Sequence, residues 1–450
     1  MTKKLRAPSR GLRSLVLLGV VFALIASACG GTDDTTTTTA APPTTAAEAT
    51  TTTEAVEETT TTEAVEALDP ISLNIGTILP QTGGLSAIID ALEQPLLMGV
   101  DEINAVSAGL VSMDFVDSGQ DVAIASTNID QYLTGDHNAI IGPAASDVAV
   151  GVWDKVNTAE MLMCSGSSTG STFSTEEFNP YHIRTAPSDD IQAPLLGNII
   201  VGDGFANVAV VWRSDTYGVG FGEALAAAVT DAGATVVMAE GYDPEATSFT
   251  ELAQSIVASG AEAVAIIVFA EGAQIVLDLE GAGWDGQTYI ADGWVDNVSA
   301  ADLGGRTDLV SGFKGTYPAL APATGEPTFV DRFAAFSPGS PTIFSAHMYD
   351  CLVTLVLAAQ QAQSNDPTAI AAEAIAVTRD GEKCNLVADC LALVWAGVDI
   401  DYDGASGPLD FSPNGEPGIG TYDVIQYPEQ TDPESLSYDN LEQIQGSLPS

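Results

Sequence analysis

Short apolar runs alternate with segments of helical periodicity along most of the chain. Runs at residues 71–80, 111–115 and 139–141 predict three strands, and helical spacing at residues 95–104 and 121–133 predicts the helices between them, the first opening at its proline. Runs that are apolar on both faces are typical of parallel strands covered by helices on both sides. The pattern therefore predicts an α/β fold built on a mostly parallel sheet.

The same alternation begins again further along the chain. The restart implies a second α/β lobe, and two such lobes with a groove between them suit a protein that closes on a small ligand. The predicted strands of this part are residues 207–212, 234–240, 263–269 and 288–291, and its predicted helices are residues 220–232, 249–259 and 273–281. After residue 297 the periodicity is weaker until helical spacing returns at residues 344–363 and 367–378.

The stretch AIIGPAASDVAV, residues 139–150, joins a strand to a helix through a Gly-Pro turn. A helix that opens near Ser146 places a hydroxyl and unpaired backbone N–H groups at the carboxyl edge of the sheet, where open α/β folds bind their ligands. This arrangement predicts an anion-sized pocket. The alternative is an ordinary strand-to-helix turn in which Ser146 is only the helix N-cap.

The N-terminal 67 residues have a different composition. Five basic residues and an apolar run at residues 15–25 are typical of an export signal, which we place at residues 1–28. Ala28-Cys29 looks like a bacterial lipobox, so Cys29 is the expected lipid attachment site and the protein is expected outside the cytoplasm, anchored to the cell membrane. The alternative is a soluble secreted protein in which Cys29 is incidental. Residues 29–67 are mainly Thr, Ala and Glu, which predicts a disordered linker.

The chain carries 13 basic against 61 acidic residues, a formal net charge of −48. Phosphate binding needs a basic surface, so a nucleic-acid partner is excluded. Cys384 and Cys390 lie close together in a polar stretch, which favours a local disulfide in an oxidising compartment. Cys164 and Cys351 are either two buried thiols or a second bridge.

The sequence offers no enzyme site. Its three histidines, His137, His182 and His347, do not accompany a GxSxG elbow, and no GxGxxG or P-loop motif follows a predicted strand. No CxxC pair or Cys/His cluster indicates a metal site. We therefore expect a binding protein without catalytic activity, metal or cofactor.

Several motifs follow one another in an order that resembles one protein family. IGTILPQTGG, DEINA, IIGPAASD, CSGSST, HIRTAPSD, DTYG and YDGASGPLDF lie between about residues 70 and 427. Their succession is similar to that of type I periplasmic binding proteins, specifically the branched-chain amino acid (Leu/Ile/Val) and amide group of ABC-transporter substrate-binding proteins. The resemblance implies a small amino acid or amide as ligand and the permease subunits of an ABC importer as partners.

The resemblance also implies two doubly wound parallel-sheet lobes joined by a three-stranded hinge. The three crossings between the lobes are expected near Pro187, Tyr317 and Asp401. The resulting division assigns residues 70–187 and 318–401 to lobe 1 and residues 188–317 and 402–450 to lobe 2.

The family holds an amino acid by both of its charged groups. The serine that binds the carboxylate corresponds to Ser146. The small-residue loop that also binds the carboxylate corresponds to Gly166, Ser167 and Ser168. Neutral donors and backbone N–H groups can hold a carboxylate without a buried cation. The acid that meets the ammonium group corresponds to Asp292, and the remaining pocket contacts correspond to Tyr217, Phe269 and Ala270.

Several alternatives stay open at this point. Asp292 is otherwise a solvated turn acid, Ser168 an ordinary loop serine and Tyr217 a part of the lobe packing. Ser165 stands where the family often has a proline, so an amide, a urea-like compound or an aromatic acid are open as ligands beside a branched-chain amino acid. A surface receptor that senses its ligand without transporting it would have the same lobes. Arg184 is expected in a structural ion pair at the hinge.

Overall fold

The structure, a computed structural model, describes residues 68–175, 180–320 and 327–449. The expected export signal, the expected lipid site Cys29 and the linker lie outside the described residues. Across those three ranges, none of the helices combines the length and the apolar character that a membrane crossing requires.

Lobe 1 contains a five-stranded sheet in which every neighbouring pair is parallel. Its strands are β1 (Leu73–Leu79), β2 (Val111–Asp117), β3 (Ala139–Ile141), β4 (Met163–Ser165) and β5 (His182–Arg184). The strand order is β2-β1-β3-β4-β5. The carboxyl ends of β1, β3 and β4 are therefore side by side at one edge of the sheet, and the loops that follow them meet there.

Lobe 2 contains a seven-stranded sheet. Its parallel part comprises β6 (Asn207–Arg213), β7 (Thr235–Tyr242), β8 (Ala263–Ile267), β9 (Gln287–Ile290) and β10 (Lys314–Pro318). The pattern predicted the strands β6 to β9 at these places. β8 is fully buried, as expected for an interior parallel strand that is apolar on both faces.

The last part of the chain supplies strands to both lobes. β11 (Glu382–Cys384), β12 (Ile400–Gly404) and β13 (Gly407–Pro408) form a small sheet of their own. β14 (Ile419–Gln426) and β15 (Asp439–Ser447) then extend the large sheet in antiparallel fashion, which gives the order β15-β14-β10-β9-β8-β6-β7. The fold is thus α/β with two mainly parallel sheets, as predicted from the sequence.

The third crossing differs in position from its expected place. Asp401 lies inside β12, and the chain joins the large sheet only at Ile419. The reason is that β12 is tied to lobe 1, since the Tyr402 hydroxyl donates a hydrogen bond of 2.7 Å to the buried carboxylate of Asp350. Residues 409–418, which we name the third passage, carry the chain between the lobes.

Helices cover both sheets. They are α1 (Ile89–Val106), α2 (Val122–Asn128), α3 (Asp130–Thr134), α4 (Ser146–Thr158), α5 (Asp189–Gly202), α6 (Thr216–Asp231), α7 (Thr250–Ala258), α8 (Gly272–Ala282), α9 (Phe329–Phe336), α10 (Ser345–Ala362), α11 (Pro367–Glu373) and α12 (Val387–Trp395). Pro95 does not open α1, which begins earlier because buried Ala91 and Leu92 extend its apolar face. α10 packs against α1, α11 and α12, and its residues from Ser345 to Gln360 are all buried, so it forms the core of lobe 1.

Two disulfides join residues of lobe 1. Cys164 at β4 is bonded to Cys351 on α10, with the two Cα atoms 5.7 Å apart. Cys384 and Cys390 are bonded across a sequence separation of 6 residues. The pair that the sequence left open is therefore a second bridge, and it fixes the central helix of lobe 1 to its sheet.

Candidate functional site

A small cavity lies between the two lobes. Loops at the carboxyl ends of the strands of both sheets border this cavity, which is where open α/β folds generally bind their ligands. The lining residues are Leu85, Ile88, Ala144, Ala145, Ser146, Ser167, Thr169 and Phe344 from lobe 1, and Tyr217, Phe269, Asp292 and Gly293 from lobe 2.

The lobes are in direct contact around this cavity. The side-chain amide of Asn297 in lobe 2 donates a hydrogen bond of 2.8 Å to the carbonyl oxygen of Gly84 in lobe 1. Asn297 is buried, and α4 of lobe 1 also touches α6 of lobe 2. The two lobes therefore meet around the cavity.

Ser146 is the first residue of α4, and the N-cap position is taken by Ala145, which has no side chain able to cap. The N-cap interpretation of Ser146 is therefore wrong, because Ser146 already lies inside the helix. Ser146 Oγ accepts a hydrogen bond of 3.1 Å from the N–H of Gly170, which leaves its own hydroxyl hydrogen free to donate. The Gly-Pro turn before the helix needs glycine, since Gly142 has a φ of +100° and a Cβ there would lie 2.2 Å from the carbonyl oxygen of Ile78.

The small-residue loop, residues 165–170, contains three of the predicted carboxylate donors, and they do not all face the cavity. Ser167 lines the cavity. Ser168 does not, because its hydroxyl lies 3.0 and 3.1 Å from the carbonyl oxygens of Pro143 and Ala144 and so ties this loop to the Gly-Pro turn. Gly166 packs against the start of α10, where a Cβ would lie 2.7 Å from the backbone nitrogen of Met348. Gly166 and Ser168 thus build the loop and do not face the cavity.

Two further residues of this loop explain its shape. Ser165 replaces the proline of the family, and its hydroxyl accepts the N–H of Ser168 at 3.0 Å and donates to the carbonyl oxygen of Pro143 at 2.7 Å. The loop therefore has its own hydrogen bonds in place of a rigid ring. Thr169, which the sequence analysis did not select, is buried and lines the cavity.

Asp292 and Tyr217 lie on the lobe 2 wall of the cavity and are both almost completely buried. The Tyr217 hydroxyl donates a hydrogen bond of 3.1 Å to Asp292 Oδ1. Burial raises the pKa of Asp292 to about 6, although this hydrogen bond favours the charged carboxylate. Asp292 is thus a buried acid at the cavity and is not a solvated turn residue.

Phe269 continues this wall. Its ring stacks on Tyr217 with centroids 5.2 Å apart and planes inclined by 11°. The Arg213 guanidinium lies 3.7 Å from the Phe269 ring centroid and is held by ion pairs to Asp215 and Glu271. Ala270 does not line the cavity, because it belongs to the turn that leads into α8.

Asp189 is a buried acid that sequence reasoning missed. It is the first residue of α5, it is completely buried, and neither of its carboxylate oxygens makes a hydrogen bond of normal length within the described residues. Burial and the nearby carboxylate of Asp292 raise its pKa well above the ordinary value. Its burial could not be read from its position in the chain, since an acid in the first turn of a helix is normally a solvated group that favours the helix dipole.

The apolar part of the cavity was also missed. Leu85 and Ile88 come from the loop after β1, and Phe344 precedes α10 with a φ of +58°, an uncommon conformation for a residue with a side chain. Such backbone conformations persist only where the surroundings fix them, and they cluster at binding sites. In sequence these three residues look like ordinary core positions.

The sequence profile of the periplasmic binding protein family matches residues 72–430. Leu/Ile/Val-binding protein homolog 3 of Brucella melitensis is 24% identical to this chain over 311 residues, which are 67% of this chain and 83% of the relative. The chemotactic signal transduction system substrate-binding protein BasB of Halobacterium salinarum is 24% identical over 381 residues, which are 77% of this chain and 85% of the relative.

Solved structures share the fold. The leucine-binding protein LivK of Thermotoga maritima has a TM-score of 0.67 at 20% identity, covering 83% of this chain and 98% of that chain. A solute-binding protein of an ABC transporter from R. palustris, in complex with benzoate, has a TM-score of 0.67 at 14% identity, covering 84% and 98%. Since the family profile spans most of a chain whose two α/β lobes meet around a cavity, this protein belongs to the type I periplasmic binding proteins, which are ligand-binding proteins and not enzymes.

Proposed function

We propose that this protein is the substrate-binding protein of an ABC importer and that it captures a small α-amino acid with an aliphatic side chain. One observation carries the proposal: the cavity has neutral donors on its lobe 1 wall, and its lobe 2 wall carries the buried acid Asp292, which forms no ion pair with any of the described residues. A zwitterion complements both walls at once. No lysine or arginine lines the cavity, so the ligand itself must supply the positive charge.

The carboxylate of the ligand is assigned to the lobe 1 wall. Ser146 can donate its hydroxyl hydrogen, and the first turn of α4 begins at this residue, so the positive end of the helix dipole faces the anion. Ser167 and Thr169 offer further neutral donors. A carboxylate held by several such donors needs no buried cation.

The ammonium group is assigned to Asp292, with the buried carboxyl group of Asp189 nearby. A buried carboxylate without a cation is unfavourable, and proteins commonly relieve it by keeping the proton or by pairing the charge. An ammonium group placed against Asp292 would supply the missing charge and hydrogen-bond donors. The hydroxyl of Tyr217 would then hold Asp292 in the orientation that receives the ligand.

The side chain of the ligand is assigned to the apolar surface formed by Leu85, Ile88 and Phe344 together with Phe269. These side chains leave little room between them, which favours a compact aliphatic group over a large ring. Each buried CH₂ group contributes about 0.8 kcal/mol of binding free energy.

The location and the anchoring of the protein follow the same proposal. Residues 1–28 act as the export signal, Cys29 carries the lipid, and residues 29–67 let the folded body reach a permease in the membrane. Two disulfides between buried cysteines suit a compartment outside the reducing cytoplasm. Mass spectrometry of the mature N-terminus tests the anchor, and an unmodified Cys29 would refute it.

Calorimetric titration and thermal shift with three matched compounds test the ligand assignment. L-Leucine has both charged groups, leucinamide lacks the carboxylate, and 4-methylpentanoate lacks the ammonium group. We expect measurable binding of L-leucine alone, with a stabilisation of about 2.7 kcal/mol at a ligand concentration 100 times the Kd. Benzoate is expected to bind poorly, because it brings no positive group to pair with Asp292. Equal affinity for 4-methylpentanoate and L-leucine would refute the role of the acids.

A second function has a specific observation in its favour. The Halobacterium relative is named as a component of a chemotactic signal transduction system, so the same lobes can present a ligand to a sensor. Deleting neighbouring permease genes distinguishes the two functions. Uptake of radiolabelled ligand should disappear if the protein serves an importer, and a ligand response that persists without permease genes would favour the sensor.

A further inference from the structure

Arg184 and Glu416 form a buried ion pair beside the candidate carboxylate subsite. Each side chain is only 1% exposed. Arg184 ends β5 of lobe 1, whereas Glu416 belongs to the third passage, 232 residues later in the chain. The pair therefore joins lobe 1 to a segment that leads into lobe 2.

The guanidinium group of Arg184 uses all of its hydrogen-bonding directions. Its Nε donates to Glu416 Oε2 at 2.9 Å, and its Nη2 donates to Ser174 Oγ at 2.8 Å and also to Glu416. Its Nη1 donates to the carbonyl oxygens of Ser168 and Gly170, at 3.2 and 3.0 Å. No donor remains for a ligand, so Arg184 acts on the small-residue loop and not on the cavity.

This contact fixes the peptide plane between Ser168 and Thr169 and the plane between Gly170 and Ser171. In a trans peptide the N–H points away from the carbonyl oxygen of the same plane. Holding the Ser168 carbonyl against Arg184 therefore turns the N–H of Thr169 to the opposite side, and no hydrogen bond of the described residues uses this N–H. The plane between Thr169 and Gly170 has other partners, since the Gly170 N–H donates to Ser146 and the Thr169 carbonyl accepts from the N–H of Asp189.

We propose that Arg184 and Glu416 are positioning residues of the carboxylate subsite: they set the orientation of residues 167–170 toward the ligand carboxylate and tie this loop to the third passage between the lobes. The inference rests on the proposed function for the identity of the bound group. Glu416 is a suitable anchor because its segment is fixed at the sheet, where the N–H of Arg184 donates to the carbonyl oxygen of Gly415 at 2.8 Å.

Two substitutions test the pair. Arg184→Lys keeps the positive charge but cannot hold two carbonyl groups and a carboxylate together, and Glu416→Gln keeps the shape but removes the anchoring charge. Titration with L-leucine should give a Kd about tenfold or more above that of the wild-type protein. Hydrogen–deuterium exchange should become faster in peptides that cover residues 166–171, and remain unchanged elsewhere in lobe 1. A matched control is Glu102→Gln, which removes the partner of Arg332 in another ion pair of lobe 1 and should change neither result.

The outcomes are distinguishable. Wild-type affinity and wild-type exchange in both variants would overturn the inference, and so would faster exchange spread over both lobes, since the pair would then only hold the fold. If the wild-type protein binds no L-leucine, the proposed function fails, and the exchange of residues 166–171 alone decides the inference. Should both variants fail to fold, Ser174→Ala removes one partner of Arg184, and a two- to fivefold rise in Kd with locally faster exchange supports the inference, whereas no change overturns it.

Discussion

The disulfide between Cys164 and Cys351 should contribute more to the stability of lobe 1 than the disulfide between Cys384 and Cys390. The first pair is completely buried and joins an interior strand to the central helix α10. The second pair closes a short local loop. Replacing both cysteines of one pair by alanine removes each constraint separately, without leaving a lone thiol.

The expected difference follows from the lengths of the two loops. A disulfide lowers the entropy of the unfolded chain, and in the chain-entropy description this contribution grows with the logarithm of the loop length. The separation of 187 residues gives about 5 kcal/mol at 25 °C. The separation of 6 residues gives about 2 kcal/mol.

Urea-induced unfolding, followed by tryptophan fluorescence, measures the difference. We expect the Cys164→Ala/Cys351→Ala variant to unfold at a clearly lower urea concentration than the Cys384→Ala/Cys390→Ala variant, with similar slopes of free energy against urea for both. Cys164 directly precedes the small-residue loop, so the first variant should also bind ligand more weakly. An equal or larger loss of stability in the second variant would refute the loop-length reasoning.

Three further predictions concern ligand binding and the acidic surface. Lowering the pH through about 6 should weaken the binding of L-leucine, because protonation of Asp292 removes the negative charge that meets the ammonium group. Calorimetric titration between pH 5 and 8 should therefore show an affinity that rises with pH, and the Asp292→Asn variant should bind weakly at every pH. Asn297→Ala should raise the Kd about two- to tenfold, because it removes a hydrogen bond between the lobes that contributes about 0.5 to 1.5 kcal/mol. Small-angle X-ray scattering with saturating ligand should show a more open average shape, and an unchanged Kd and shape would exclude a role of Asn297 in holding the lobes together. Raising NaCl from about 0.05 to 1 M should raise the melting temperature, because salt screens repulsion within a chain of net charge −48, and a fall would contradict this.

The sequence predicted β1 to β3 and β6 to β9 because the apolar run of each of these strands can be recognised in its own residues. The apolar runs of β1 and β8 are covered on both faces and can be recognised without knowing their neighbours. The third crossing could not be located in this way. The resemblance to the family placed it near Asp401, but β12 is held in lobe 1 by the contact between Tyr402 and Asp350, which are 52 residues apart.

The candidate site was predictable to a smaller extent. Ser146, Ser167, Tyr217, Phe269 and Asp292 line the cavity, and each was selected because its motif resembles that of the family. Gly166, Ser168 and Ala270 do not line it. Within one loop, Ser167 faces the cavity while Ser168 faces the Gly-Pro turn, and residue type cannot distinguish two adjacent serines.

The amino-acid sequence by itself determined the class of fold, the restart of the pattern that makes two lobes, and the loops that reach the cavity. These features depend on periodicity and on turn residues, which are local properties of a chain. The tertiary structure alone decided the pairing of Cys164 with Cys351, the burial of Asp189 next to Asp292, and the attachment of Arg184 to Glu416. Each of these depends on segments far apart in the sequence that meet only when the lobes have formed, because charge and burial are set by neighbours in space.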